Sequence, residues 1–279
     1  MSSAVKHRVE SPTSILAYMQ CPRKYYYRYV KRLEQKPSIH LIVGNVVHST
    51  IASFHNADIS SMPVERLFEI LHEQMIEEFR IRWDENSEEL KSLGLDAKDE
   101  RAFYDETKMM LDNFFQYHIN RVVACQYRQN ASLVEAFKRL KPKTETKIIS
   151  EKYGIMGVVD AIHDIDGKIV IIDYKTSKKT EINDECMIQL ALYALLYKES
   201  FGRTPDFVGI HFLRQGEKMM RVTPDLLALG AEACRRMQAL ARNEDVTIFP
   251  QKFSGLCKYR TGRCDYYETC KPSNSVDFG

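Results

Sequence analysis

Asp160, Asp173 and Lys175 are the residues whose types and spacing first suggest chemistry. Asp166-Gly167 lies between two runs rich in β-branched residues, 155–165 and 168–174, and such a pair is a strong two-residue hairpin signal. Asp160 stands six residues before Asp166, and Asp173 six residues after Gly167. A hairpin closed there sets the two carboxylates side by side. Asp173 and Lys175 are two apart on one strand and share a face. Adjacent carboxylates repel unless a cation or a proton intervenes. A divalent metal resolves that repulsion, and oxygen ligands suit Mg²⁺ or Mn²⁺. Such an ion activates water and steadies the charge on a phosphate, with Lys175 orienting the water or stabilising the pentavalent phosphate. The alternative is a surface hairpin carrying an ordinary Asp–Lys ion pair, but here the polar trio interrupts otherwise apolar strands.

The second group is made of cysteines. The chain has seven: Cys21, Cys125, Cys186, Cys234, Cys257, Cys264 and Cys270. An odd number behind a polar N-terminus with no apolar leader argues for the cytoplasm and against a disulfide framework. Cys257, Cys264 and Cys270 fall within 14 residues, which makes metal the first chemistry to consider. Four cysteines also make a tetrahedral Zn²⁺ site. Cys125, Cys186 and Cys234 lie in apolar helical stretches and are expected in the core. A third group interleaves cations with tyrosines: Arg23, Lys24, Tyr25, Tyr26, Tyr27, Arg28, Tyr29, Lys31 and Arg32. Cations meet phosphates and rings stack on unpaired bases, so Arg23, Lys24, Tyr27 and Arg28 are candidate DNA contacts. A helix with buried tyrosines and a solvated basic face explains the same run, and both are expected together.

The elements that must hold these groups follow from pattern. Ser11-Pro12 starts a helix and Pro22 breaks it, leaving Cys21 at the break. Residues 39–57, 63–82 and 98–125 are apolar at helical spacing. The pattern then turns to strands at 145–152, 155–165 and 168–174. The last, KIVIIDY, is an unbroken apolar run and reads as a centre strand covered on both faces. A helix over 184–200, strands over 206–214 and 217–222 and a helix over 225–243 complete the series. This is an α/β core with a helical elaboration. It reads as one unit with a basic segment 1–38, a helical section 39–143, a core 144–245 and a Cys-rich segment 246–279.

Composition sets the limits. The 279 residues are 44% hydrophobic, too apolar for a disordered chain, and no run is long enough to span a membrane. The net charge of +2 conceals a division. Residues 1–50 hold eight Lys and Arg against two acids, and residues 51–110 hold seven against 15. The basic part is expected beside DNA and the acidic part away from it, where it could instead meet a basic partner. No GxxxxGK[ST] loop is present, so the chain is not itself an ATP-driven helicase.

GVVD, twelve residues and DYK together resemble the PD-(D/E)XK nuclease superfamily. Gln189-x-x-x-Tyr193 resembles the QxxxY motif of its RecB-like branch, and Gly44-x-x-x-His48 resembles that branch's GxxxH helix. By themselves, His48 would pass as a core histidine and Gln189 and Tyr193 as helix surface. The resemblance implies a mixed central sheet flanked by helices, with metal at His48, Asp160 and Asp173 and help from the Tyr174 carbonyl. It implies Lys175 as the catalytic lysine, and Gln189 and Tyr193 shaping the site or touching DNA. Glu145 and Glu151, on the preceding strand, are not assigned. Ser11–Tyr27, with one cysteine near the start and three near the end, resembles the iron–sulfur nucleases. These include the AddB helicase–nuclease, exonuclease V and a CRISPR-associated RecB-like exonuclease. That implies a 4Fe–4S cluster on Cys21, Cys257, Cys264 and Cys270, clipping the chain ends together. The tail here reads C-x6-C-x5-C where that group usually reads C-x2-C-x5-C, with Arg260 near the expected second cysteine. The implied activity is a Mg²⁺- or Mn²⁺-dependent DNA exonuclease acting on single strands or single-stranded ends. The implied settings are DNA repair, or spacer selection beside CRISPR integrase proteins. A non-catalytic DNA scaffold is the third reading.

Overall fold

The computed structural model describes residues 8–178, 180–240, 243–259 and 262–270. Its centre is a five-stranded mixed sheet in the order β1-β2-β3-β4-β5. The strands are β1 Lys143–Ser150, β2 Ile155–Ile165, β3 Lys168–Lys175, β4 Phe207–Phe212 and β5 Gly216–Arg221. All neighbours are antiparallel except β3 and β4, which are joined through a helix and run parallel. β3 is therefore the middle strand, as its apolar run requires. Asp166 and Gly167 both take positive φ, 51° and 77°, which is the backbone of a primed two-residue turn. That turn fixes Ile165 against Lys168 and Ala161 against Ile172.

The helices before the sheet begin with α1 Pro12–Gln20, capped reciprocally by Ser11 and Ser14. Pro22 opens α2 Pro22–Tyr25, which runs on as a π-helical turn over Tyr26–Val30. Then come α3 Ile39–Asn56, α4 Leu67–Glu85, α5 Ser87–Ser92 and α6 Ala97–Gln129. The short α7 Leu133–Leu140, not expected from pattern, carries its own capping box from Ser132 and Glu135. After β3 come α8 Asp184–Phe201 and, after β5, α9 Pro224–Leu240. The strand expected over 145–152 is observed two residues earlier, because residues 151–154 are used up by the turn into β2.

Two apolar cores sandwich the sheet. One gathers α3, α4, α6 and α7 around Ile42, Val47, Phe79, Phe114 and Phe137. The other gathers α1, α2, α8 and α9 around Tyr25, Leu192, Leu196, Cys234 and Phe249. Burying each such side chain contributes about 1.5–3 kcal/mol, which is what holds two helical layers on one sheet. Gly230 lets α9 sit directly on α8, since a Cβ there would lie 2.7 Å from the Ala191 carbonyl oxygen. Of the three cysteines expected inside, Cys234 is fully buried, while Cys125 and Cys186 are half-buried. No described helix is long and apolar enough to cross a membrane.

Candidate metal-assisted active site

The β2–β3 register, carried one step past Ala161–Ile172, sets Asp160 opposite Asp173. The β1–β2 register leaves Glu145 opposite Asp160, between Thr144–Ala161 and Thr146–Val159. Three acids thus form a row across three strands. The strand alternation breaks at Asp160: Val159 packs in the α8-side core and Ala161 in the α6-side core. Glu145 across from it takes a positive φ of 46°. Such irregularities in a sheet re-aim side chains next to active sites.

Helices supply the rest from both sides. From α3, His48 Nδ1 lies 3.2 Å from Asp160 Oδ1. From α8, Gln189 donates its amide to Asp173 Oδ1 at 2.9 Å and to the Tyr193 hydroxyl at 3.1 Å. Its carbonyl accepts from Lys175 Nζ at 2.7 Å. Lys175 Nζ also lies 2.8 Å from Asp173 Oδ2. The Tyr174 backbone N–H donates to Asp160 Oδ2 at 2.8 Å, while its ring is buried on the other face of the sheet. The structure therefore brings His48, Asp160, Asp173, Lys175, Gln189 and Tyr193 together. It adds Glu145, whose strand position was visible but whose approach depends on the β1–β2 register.

The electrostatics are those of an anion-rich pocket. Asp173 is 2% exposed, and burial, with Asp160 adding to it, pushes its carboxyl up to about 6 despite Lys175. Burial and the Asp160 charge likewise raise Glu145. Burial works against a charged His48, but the hydrogen bond and charge of Asp160 outweigh it and raise the imidazole. Burial also works against the Lys175 ammonium, and Asp173 and Asp160 outweigh it. Burial is the largest cause for the two acids, and the neighbouring carboxylates are what raise His48 and Lys175.

The donors fit a divalent metal. Ligand atoms of His48, Glu145 and Asp160 all lie within 4.8 Å of one another, the one such His/Cys/Asp/Glu group among the described residues. Asp173 lies outside that group, and its buried Oδ2 faces the Lys175 ammonium at 2.8 Å. Mostly oxygen donors with one imidazole suit Mg²⁺ or Mn²⁺.

The four proposed cluster cysteines meet elsewhere. Cys21, Cys257, Cys264 and Cys270 line one pocket with Arg23, Lys24 and Tyr27. Side chains bonded to backbone carbonyls tie the segments around it: Arg23 Nε donates to the Phe249 carbonyl at 2.8 Å, and Lys252 Nζ to the Met19 carbonyl at 3.1 Å. Gln251 donates to Cys270 Sγ at 3.2 Å. Burial raises the Cys264 and Cys270 thiols. No disulfide joins any of the seven cysteines. Of the expected DNA contacts, Arg23 spends its guanidinium on the Phe249 and Val246 carbonyls. Tyr27 packs on Tyr26 and Tyr266, Lys24 reaches Gln20, and Arg28 lies over the Tyr29 ring. Arg23, Lys24 and Tyr27 line the cysteine pocket, and none of the four lines the groove beside Glu145 and His48. Arg260 lies outside the described residues.

A mixed sheet carrying the acids of one hairpin, a following lysine and a flanking histidine is an arrangement that fits a metal-assisted hydrolase. The chain belongs to the PD-(D/E)XK nuclease superfamily, whose model matches residues 10–271. Its fold is similar to a crystal structure from Eubacterium rectale described as a "Putative exonuclease". The two share 14% identity at a TM-score of 0.50, covering 92% of this chain and 91% of that one. A structure of SSO0001 is aligned over 55% of this chain and 80% of its own at 16% identity and a TM-score of 0.30. No curated protein matches the chain.

Proposed function

We propose that the protein is a Mg²⁺- or Mn²⁺-dependent DNA exonuclease of the RecB-like, iron–sulfur branch, working on single strands or single-stranded ends. The observation that carries the reading is the row Glu145–Asp160–Asp173 with His48 above it and Lys175 beside it. His48, Glu145, Asp160 and Asp173 would hold the metal, with the Tyr174 carbonyl at its edge. The ion supplies a lowered pKa for attacking water and countercharge for the phosphate.

The chain's own groups do the remainder. Gln189 is the hub: it donates to Asp173 and accepts from Lys175, so it fixes both in one geometry. Lys175 stays an ammonium and keeps a donor for a phosphate oxygen or the attacking water. Tyr193 holds the Gln189 amide from behind.

The cluster reading is supported by the four cysteines sharing one pocket lining. Thiolates around one zinc would stand about 3.8 Å apart, given Zn–S bonds near 2.3 Å. No three of the four thiols are gathered to within 4.8 Å. A polynuclear cluster spaces its thiolates more widely. Its role would be structural, joining residue 21 to residues 257–270. Lys24 on that rim and Arg28 over the Tyr29 ring make no ion pair among the described residues and are proposed to meet DNA phosphates.

The test uses anaerobically purified protein. It should be brown and contain about four irons per chain. With Mg²⁺ or Mn²⁺ it should shorten end-labelled single strands and spare circles. Colourless protein with one zinc would remove the cluster. Cutting of circles as fast as of linear strands would remove the exonuclease assignment.

A further inference from the structure

A groove runs from the metal site along the solvent face of α3. Its floor is Asn45, Ser49, Ala52, Ser53 and Asn56, at helical spacing, and His48 and Glu145 also line it. From Leu41 to Asn56 this floor extends about 22 Å at 1.5 Å per residue. Gly44 leaves the upper end open, since a Cβ there would meet nothing within 4 Å. At the lower end Asn56 is tied to Thr144 of β1, the neighbour of Glu145.

Arg82 leans into this groove from α4. Its Nη2 is 2.5 Å from Glu78 Oε1 and 3.1 Å from Ser53 Oγ. Ser53 in turn donates to Glu78 Oε1. Among the described residues, Nη1 makes no bond and Nε is buried without a partner. A guanidinium carries five donors in a fork matched to phosphate. Here only one nitrogen is used, and the side chain is 30% exposed.

We infer that the α3 groove is the track of the scissile nucleic-acid strand and that Arg82 is its phosphate clamp, with Glu78 as a competing anion that tempers the clamp. The inference deepens the nuclease reading and rests on it for the identity of the ligand. Small amide and hydroxyl groups along the floor suit a strand gripped without sequence preference. The acid at Glu78 makes the grip exchangeable, so a strand that must advance is not pinned. Arg82 acts on the position of the strand and touches no reacting atom.

The experiment separates binding from cleavage. A fluorescent single-stranded oligonucleotide is titrated with the Asp173→Asn protein in Ca²⁺, by anisotropy, across a salt series. Arg82→Ala in that background should weaken binding about tenfold. It should also flatten the slope of log affinity against log salt by about one. Arg82→Lys should recover part of the loss, and Glu78→Gln should tighten binding several-fold. With Asp173 restored, the same substitutions should move KM in those directions and leave kcat within about twofold. Arg82→Ala with unchanged affinity and slope overturns the clamp, and so does Glu78→Gln that weakens binding as Arg82→Ala does. If Arg82→Ala alters the melting temperature, Arg82→Lys and Glu78→Gln carry the decision. Absence of cleavage by the wild type, with Arg82-dependent binding intact, overturns the nuclease reading and leaves the track standing.

Discussion

Consecutive residues of β3 serve two polar clusters of opposite character. Asp173 and Lys175 face α8 and belong to the charged, metal-ready row. Tyr174 faces the other way, into a small cavity lined by His55, His118, His163, His211 and Tyr117. The first cluster is built of ions that compensate one another or await a cation. The second is built of buried neutral rings: His55 Nε2 meets the Tyr174 hydroxyl at 3.3 Å, and one nitrogen on each of His55, His118 and His163 has no partner. Burial drives the His118 and His163 imidazoles down to about 3 and His211 to about 4, and His55 well below its ordinary value. The same strand therefore carries chemistry on one side and a proton-sensitive interior on the other. What decides between them is access to solvent or a counter-ion.

The sharpest way to break this comparison is to cross it. Asp173→Asn should lower cleavage by on the order of 10³-fold or more, measured on end-labelled DNA, because it removes an oxygen proposed to hold the metal and unseats Lys175 and Gln189. His118→Leu should keep the rate within about threefold, because it touches only the interior cluster. A rate collapse in the second variant would show that the two clusters are one.

Acid should separate them by sign. The four interior histidines are neutral in the fold, while the unfolded chain takes up protons below about pH 6.5. Stability from them is thus lost as pH falls, by roughly 1.4 kcal/mol per unit for each histidine. By about pH 5 the four losses together become a sizeable part of the stability of a domain. Circular dichroism should show cooperative unfolding near that pH, shifted to lower pH in His118→Leu. Asp173 and His48 are raised in the fold and act in the opposite sense, adding stability to the metal-free protein as pH falls. An acid transition that does not move in His118→Leu would detach it from the histidines.

Metal binding should report on the other side. Mn²⁺ affinity should rise up to about tenfold per pH unit through pH 6, as Asp173 gives up its proton, with proton release seen calorimetrically in two buffers. A flat profile would mean that Asp173 is already ionised. The smallest effect is that of Glu145→Gln. It should weaken Mn²⁺ about tenfold and raise metal-free stability by up to about 1 kcal/mol, since one acid of a crowded row is neutralised.

The legible parts of this site were those with local signals. Asp-Gly with positive φ at both residues fixes a hairpin count, and the count alone pairs Asp160 with Asp173. α3 was readable from its apolar spacing, and His48 came with it through the motif. Glu145 was readable only as a residue of the preceding strand, because its approach to Asp160 depends on the β1–β2 register and on a left-handed backbone that no side-chain pattern announces. The interior histidines come from α3, α6, β2 and β4, so only the folded sheet assembles them. The four cysteines lie up to 249 positions apart and share a cavity for the same reason. α7 did carry a signal, Ser132 with Glu135, that periodicity alone passes over.

Gly230 gives the molecule an unguarded lever. The helix that holds Gln189 between Asp173 and Lys175 rests, at Ala191, on a backbone that tolerates no extra methyl. Gly230→Ala would pry α8 from α9 without altering any group near the metal. Such a variant should work when cold and fail when warmed, a conditional off-switch located behind the machinery it disables.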